Sequence, residues 1–406
     1  MQEYRAQIER LFRRSAFYRN KLTAAGFDSP QAVGGLERIA ELPFTEKDEL
    51  RKSQAEHPPL GEHAALDIRE VARVYSTSGT SGVPLYIPLA RADVEQWREI
   101  GRLTYSRNGL QAGERVVTTY GAGPFVAGAS LAAFEAIGAV HIPVGVGNTE
   151  KLLTALERLK PEALACTPSY ALYLSERIRG SSLQRVIVGG EPGGGEEGFR
   201  GKLEKALGCK VYEIMGIGDI AASLWGECPA QAGMHFSADG LIHVELIDPD
   251  SGMAVPLKDG ATGELVYTHL RREAAPMLRF RSRDHARVWT SKCACGSSAL
   301  RVRCIGRTDD MLIVRGVNVF PSAVREVVAR FQPRVTGALQ IRPQRRGVRQ
   351  EPPLPIVVEG EAALAETLSK AIREALTFTA EVRMVAPQSL PRSDYKSKLV
   401  DFSEAS

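Results

Sequence analysis

The chain has 406 residues, 44% hydrophobic and 25% charged, with a formal net charge of +4. This composition excludes a disordered or fibrous protein, and the length exceeds what one core usually fills, so two domains are expected. Its basic residues are scattered, and even RPQRRGVR (342–349) has no aromatic or groove-reading context, which excludes nucleic acid as the expected partner.

The opening segment, MQEYRAQIERLFRRSAFYRNKL, intersperses charge among apolar residues at helical spacing, unlike a secretory leader. No run approaches the ~18 apolar residues of a membrane span, and the apolar region 116–146 is cut by Glu135, His141 and glycines. A cytoplasmic location without a membrane partner is expected. Six cysteines in such a chain read as thiols or metal ligands rather than as a disulfide framework.

Residues 1–70 read as helices, with Thr45 and Asp48 three positions later forming a helix N-cap signal. From residue 72 to about 225, strand-like runs such as ARVYS, RVVTTYG and ALAC alternate with helical patterns, the rhythm of layered α/β structure. Short strands separated by turns follow, predicting an antiparallel β subdomain. Past residue 306, TDDMLIVRGVNVF, TGALQIRP, LPIVVEG and the helical EAALAETLSKAIREAL predict a small α+β domain.

Two stretches carry chemistry on their own residue types. Ser76, Thr77, Ser78, Gly79, Thr80, Ser81 and Gly82 form an unbroken run of hydroxyl or glycine residues after a strand. Such a loop can turn successive N–H groups toward one point and suits a phosphate, although the lysine of a Walker loop is missing and a plain surface loop is the alternative. Cys228, His235, Cys293 and Cys295 supply three thiolates and one imidazole, a closed structural zinc set, with Gly296 completing a C-x-C-G turn. Cys304 is an alternative ligand. Reduced thiols on a β-ribbon are the competing reading, with Cys166 and Cys209 as ordinary buried residues.

The order of several motifs resembles the adenylate-forming superfamily of acyl- and aryl-CoA ligases, its phenylacetate-CoA ligase branch above all. The motifs are STSGTSGVP (76–84), TPSYAL (167–172), GGEPGG (189–194), GELVYTHLRREAAPMLRFRSRD (263–284), IGRTDDMLIVRGVNVFPSAVRE (305–326) and LPRSDYKSK (390–398). The resemblance implies a large N-terminal domain over 1–308 and a small mobile domain over 309–406, hinged near Asp309. It implies that a carboxylate and MgATP give an acyl-adenylate and pyrophosphate, after which CoA takes the acyl group and releases AMP.

Carried residue by residue, the resemblance gives the 76–82 loop the β- and γ-phosphates, and Gly190, Glu191 and Pro192 the adenine. Asp284 matches the ribose-binding aspartate and Arg307 an arginine nearby. Lys396 matches the lysine brought to the reacting carboxylate and α-phosphate, although Tyr395 stands where the family has glycine and Lys398 is a neighbouring competitor. Gly316 and NVF (318–320) fall on the face that turns inward for thioester formation. The family pattern Tyr-Gly-x-Ser/Thr-Glu is replaced by Met215-Gly216-Ile217-Gly218-Asp219, which leaves Asp219 as a shorter magnesium ligand and Met215 and Gly216 at the nucleotide. Tyr120, Gly121, Ala122, Phe125, Gly216 and Ile217 line the implied acyl pocket, sized for an aryl or related monocarboxylate.

The implied partners are a small carboxylic acid, ATP and CoA, and a homodimer is an assembly the resemblance allows. Transfer to a carrier-protein thiol or an amine uses the same residues. A non-catalytic nucleotide-binding protein of the same fold is the alternative from another class, motivated by Met215, Gly218 and Tyr395.

Overall fold

The computed structural model describes residues 2–77, 84–121, 126–178, 180–191, 193–315, 317–391, 399–403 and 405. The chain forms two compact units: residues 1–145, 214–282 and 287–302 make the first, and 146–213, 283–286 and 303–406 the second. Both are α/β, as the alternating patterns predict. No helix among the described residues is long and apolar enough to cross a membrane.

In the first unit, helices Gln2–Arg14 and Ala16–Ala24 bury Tyr4, Ile8, Leu11, Tyr18 and Leu22 against Val33, Ile39, Leu42 and Leu278. The i, i+4 and i+7 spacing of Tyr4, Ile8 and Leu11 makes one apolar stripe, and its burial holds this segment on the β region. The next long helix, Lys47–Glu56, starts two residues beyond Thr45. Its first turn is closed by the Glu46 N–H donating to Glu49 Oε2 at 2.8 Å. Thr45 is not the cap, because its hydroxyl donates instead to the Leu278 carbonyl at 2.6 Å.

An antiparallel hairpin, Arg73–Ser76 with Tyr86–Leu89, brackets the hydroxyl-rich run. The β subdomain pairs Ile242–Ile247 with Thr262–His269, and Ala221–Glu227 with both Lys210–Ile217 and Met234–Phe236, all antiparallel. A register shift between Met215 and Ile217 marks a bulge. There a side chain at Gly216 would collide with the Ala222 carbonyl, so the backbone approach itself demands glycine.

In the second unit, Ala163–Cys166, Arg185–Val188 and the first half of Lys210–Ile217 run parallel. The apolar runs Ala163–Cys166 and 186–188 are those of strands covered on both faces. Strand Arg185–Val188 ends at the loop 189–196, which leads into helix Glu197–Leu207. The C-terminal part packs helices Pro321–Ala329 and Ala365–Leu376 on strands Val335–Ile341, Leu354–Gly360 and Ala380–Val385. Val324, Val328, Ile341, Ile356, Val358, Leu368 and Ile372 form its core.

Candidate active site

Asp219 lies in the turn between two antiparallel strands of the first unit and is 2% exposed. Its Oδ2 accepts a charge-assisted bond from Lys47 Nζ at 2.8 Å. Its buried Oδ1 has no hydrogen-bond partner among the described residues. A buried carboxylate oxygen in that state costs about 1–3 kcal/mol unless something binds it, which makes Oδ1 a fitting oxygen for a hard cation.

The turn is held by His269, whose Nδ1 accepts the Met277 N–H at 3.0 Å, leaving the Nε2–H to donate to the Ile220 carbonyl at 3.1 Å. Burial, helped by nearby Arg272, pushes the His269 pKa down to about 3, so the ring is neutral. Arg272 is itself buried beside Asp93, Nε to Oδ2 3.4 Å, and its guanidinium sits 4.9 Å from the Trp97 ring centre. Asp93 also accepts the N–H groups of Ala90, Glu273 and Ala274. His63 meets Ser53 Oγ through Nδ1 at 3.2 Å, and burial lowers its pKa to about 4 against the opposing pull of Asp219.

Of the hydroxyl-rich run, Ser76 and Thr77 are described and buried, and Thr77 Oγ1 has no partner among the described residues. Ser78, Gly79, Thr80, Ser81 and Gly82 lie outside the described residues, as do Ala122, Phe125, Pro192, Gly316, Tyr395, Lys396 and Lys398. Tyr120 and Ile217 are buried, Gly121 and Met215 half-buried, and Gly216 exposed.

In the second unit the Glu191 Oε1 accepts the Ser169 N–H at 2.7 Å, and Gly190 takes a φ of +95° that favours glycine. Arg307 bridges two predicted carboxylates. Its Nη1 donates to Asp284 Oδ1 at 3.2 Å, while Nε and Nη2 fork onto Asp309 at 2.9 and 2.6 Å. Burial opposes the guanidinium charge, but Asp284 and Asp309 outweigh it and hold its pKa above the ordinary value.

Cys228, His235, Cys293 and Cys295 converge in the first unit, their ligating atoms all within 4.8 Å of one another. Cys228 Sγ lies 3.8 Å from Cys293 Sγ, and His235 Nε2 lies 3.4 and 3.5 Å from the sulfurs of Cys228 and Cys295. Zinc bonds of about 2.3 Å to sulfur and 2.0–2.1 Å to nitrogen give tetrahedral edges of about 3.8 and 3.6 Å, so the four residues fit that ion. Gly296 at φ +88° turns the knuckle, and its N–H donates to the Cys293 carbonyl. Cys304 is not in this group. Its Sγ faces the Gly306 carbonyl at 3.6 Å.

A family model described as the AMP-binding enzyme C-terminal domain matches residues 316–401. The phenylacetate-coenzyme A ligase of Thermus thermophilus is 34% identical, over 95% of this chain and 91% of its own. The chain belongs to the phenylacetate-coenzyme A ligase family of adenylate-forming enzymes. A 2-hydroxyisobutyryl-CoA ligase in its postadenylation state with 2-HIB-AMP superposes at a TM-score of 0.89, with 28% identity over 99% of this chain and 88% of that one. In the thioesterification state, with 2-HIB-AMP and CoA, the same ligase superposes at 0.71, with the same identity and coverage.

The family resemblance had pointed to Asp219, Asp284 and Arg307, and residue types alone to the Cys/His set. They did not point to Lys47, His63, His269 or the Asp93–Arg272 pair. Lys47 sits in FTEKDEL, where the pattern speaks only of a helix start, and its partner is 172 positions away.

Proposed function

We propose that the chain is an ATP-dependent carboxylate-CoA ligase that works through an acyl-adenylate. The observation that carries this reading is Asp219, a buried carboxylate fixed through one oxygen by Lys47 and open through the other among the described residues. Asp219 would hold Mg²⁺, which when bound neutralises charge on the phosphates of ATP. Lys47 keeps the carboxylate aimed through its 2.8 Å bond to Oδ2, and neutral His269 fixes the turn that carries it.

The proposed roles of the remaining residues follow the motifs. Ser76 to Gly82 hold the β- and γ-phosphates, Gly190 to Pro192 with Met215 and Gly216 the nucleotide base and α-phosphate region, and Asp284 with Arg307 the ribose. Lys396 stabilises the charge that develops as carboxylate and α-phosphate react. Residues 120–125 with Gly216 and Ile217 receive the acyl group, an aryl or related monocarboxylate. Asp309 is the hinge between residues 1–308 and 309–406, which alternate between the two half-reactions.

The Cys228, His235, Cys293 and Cys295 set would hold a structural zinc ion. Three thiolates leave such a centre with one net negative charge, and buried Arg301, opposite His235 in the strand register, lies beside it. A cytoplasmic enzyme keeps these thiols reduced and available to the metal.

The test is acid-dependent pyrophosphate release across a panel of monocarboxylates, followed by CoA addition to each active acid and mass spectrometry of the product. Release with at least one acid and a CoA thioester is the expected result. Release without a thioester assigns the acyl group to a carrier protein or amine. No release above background with any acid overturns the ligase reading in favour of a non-catalytic nucleotide-binding protein.

A further inference from the structure

Arg325 lies on helix Pro321–Ala329, inside the stretch that matches the C-terminal domain of AMP-binding enzymes, and its side chain is 7% exposed. Its partner is outside that stretch: Nη2 and Nε fork onto Glu196 at 2.9 and 3.2 Å. Glu196 precedes helix Glu197–Leu207 and closes the loop begun at Gly189. The guanidinium also lies 5.6 Å from the Phe199 ring centre, and a Cβ at Gly193 would come 2.5 Å from Nη2. Gly193, at φ +130°, is therefore glycine for two reasons, its backbone conformation and the arginine packed against it. On the other side of the loop, Arg200 Nε donates to the Gly194 carbonyl at 3.0 Å. Nearby, Lys202 Nζ donates to the Thr336 carbonyl at 2.8 Å, a second tie between the helix after the loop and the C-terminal stretch.

A bidentate, buried arginine–carboxylate pair is geometrically exacting, and it is lost as soon as its two elements separate. The related ligase is known in a postadenylation and a thioesterification state, on which this chain superposes at TM-scores of 0.89 and 0.71. We infer that Arg325 is a positioning residue for the nucleotide loop 189–196: its pair with Glu196 orders that loop only while the C-terminal stretch is docked for adenylation. The pair then favours the first half-reaction and must break for the second. This inference rests on the ligase reading above and gives Arg325, inside the motif 305–326, a role that the resemblance did not assign.

The test uses the full chain, Arg325→Gln and, from the other side of the pair, Glu196→Gln. With an acid active for the unsubstituted chain, single-turnover pyrophosphate release reads the first half-reaction. CoA-dependent consumption of the synthetic acyl-adenylate reads the second. Coupling of this kind is worth about 5- to 150-fold, so each substitution is expected to slow adenylation at least about ten-fold while the second step stays within about two-fold. Arg325→Lys, which keeps the charge but not the fork, is expected to fall between. Equal loss in both steps overturns the inference in favour of a merely structural role, and so does no loss in either. If one of the two variants fails to fold, the one that folds carries the same reading. If no acid supports adenylation by the unsubstituted chain, the ligase reading fails separately, and AMP affinity then decides: weaker binding by Arg325→Gln supports loop positioning, while unchanged binding, or none by the unsubstituted chain, overturns it.

Discussion

Asp219 differs by one methylene from the glutamate of the family pattern. Lys47 occupies one oxygen at 2.8 Å and the other has no partner among the described residues, so in the proposed role the shorter side chain is placed by its partner and not by its own reach. Asp219→Asn is expected to lower acid-dependent pyrophosphate release by about 10²-fold while leaving AMP affinity within a few-fold. Lys47→Met leaves a buried acceptor unpaired, and urea unfolding should show a loss of about 1–3 kcal/mol. The histidines make a separate, pH-dependent contribution. His63 and His269 have folded-state pKa values pushed down by burial to about 4 and about 3, below the ordinary 6.5. The unfolded chain therefore binds more protons, and the stability that neutral histidines confer is complete above about pH 6.5 and lost as pH falls toward those values. Across their windows these shifts correspond to contributions on the order of 3 to 5 kcal/mol each. Urea midpoints measured from pH 7 to pH 4 are expected to fall, and His63→Gln should flatten part of that slope.

At the scale of elements, the Cys/His set joins the Cys228–His235 segment to the knuckle at Cys293 and Cys295 within one unit. Protein prepared without added zinc should carry about one equivalent, and Cys293→Ser should lose it together with several degrees of melting temperature. A content far below one equivalent would dismiss the centre. The grouping of the four residues was legible in the sequence from their types, and the structure brings their ligating atoms within 4.8 Å of one another. The choice against Cys304 was not, since only the fold turns that sulfur toward Gly306. Local periodicity was equally readable: the run ALAC became a fully buried parallel strand, and AETLSKAIREAL became a helix with Leu368 and Ile372 inward. Thr45 misled because its hydroxyl has a stronger claim from Leu278, far along the chain, than from the helix it precedes. Lys47 and Arg325 were illegible for the same reason, as each looks locally like a solvated helix residue and acquires meaning only from a distant carboxylate.

At the scale of the whole molecule, two half-reactions on one chain require that some backbone position absorb the change between them. Asp309 is the proposed position, next in chain order to the C-terminal stretch and forked by Arg307, which also holds Asp284. That linkage suggests a way to separate the hinge's backbone from its side chain. Proline fixes φ near −65° and removes an N–H, so Asp309→Pro restricts one of the two soft dihedrals available there. Asp309→Ala keeps both dihedrals and removes only the carboxylate. If the backbone turns at this residue, Asp309→Pro should leave adenylation within a few-fold and slow CoA thioester formation from the adenylate by about ten-fold or more. Asp309→Ala should instead act weakly on both steps, because Arg307 keeps Asp284 as a partner. Stopped-flow measurement of each half-reaction checks this, and equal behaviour of the two variants would place the hinge elsewhere, since a rotation through residue 309 cannot be indifferent to a locked φ.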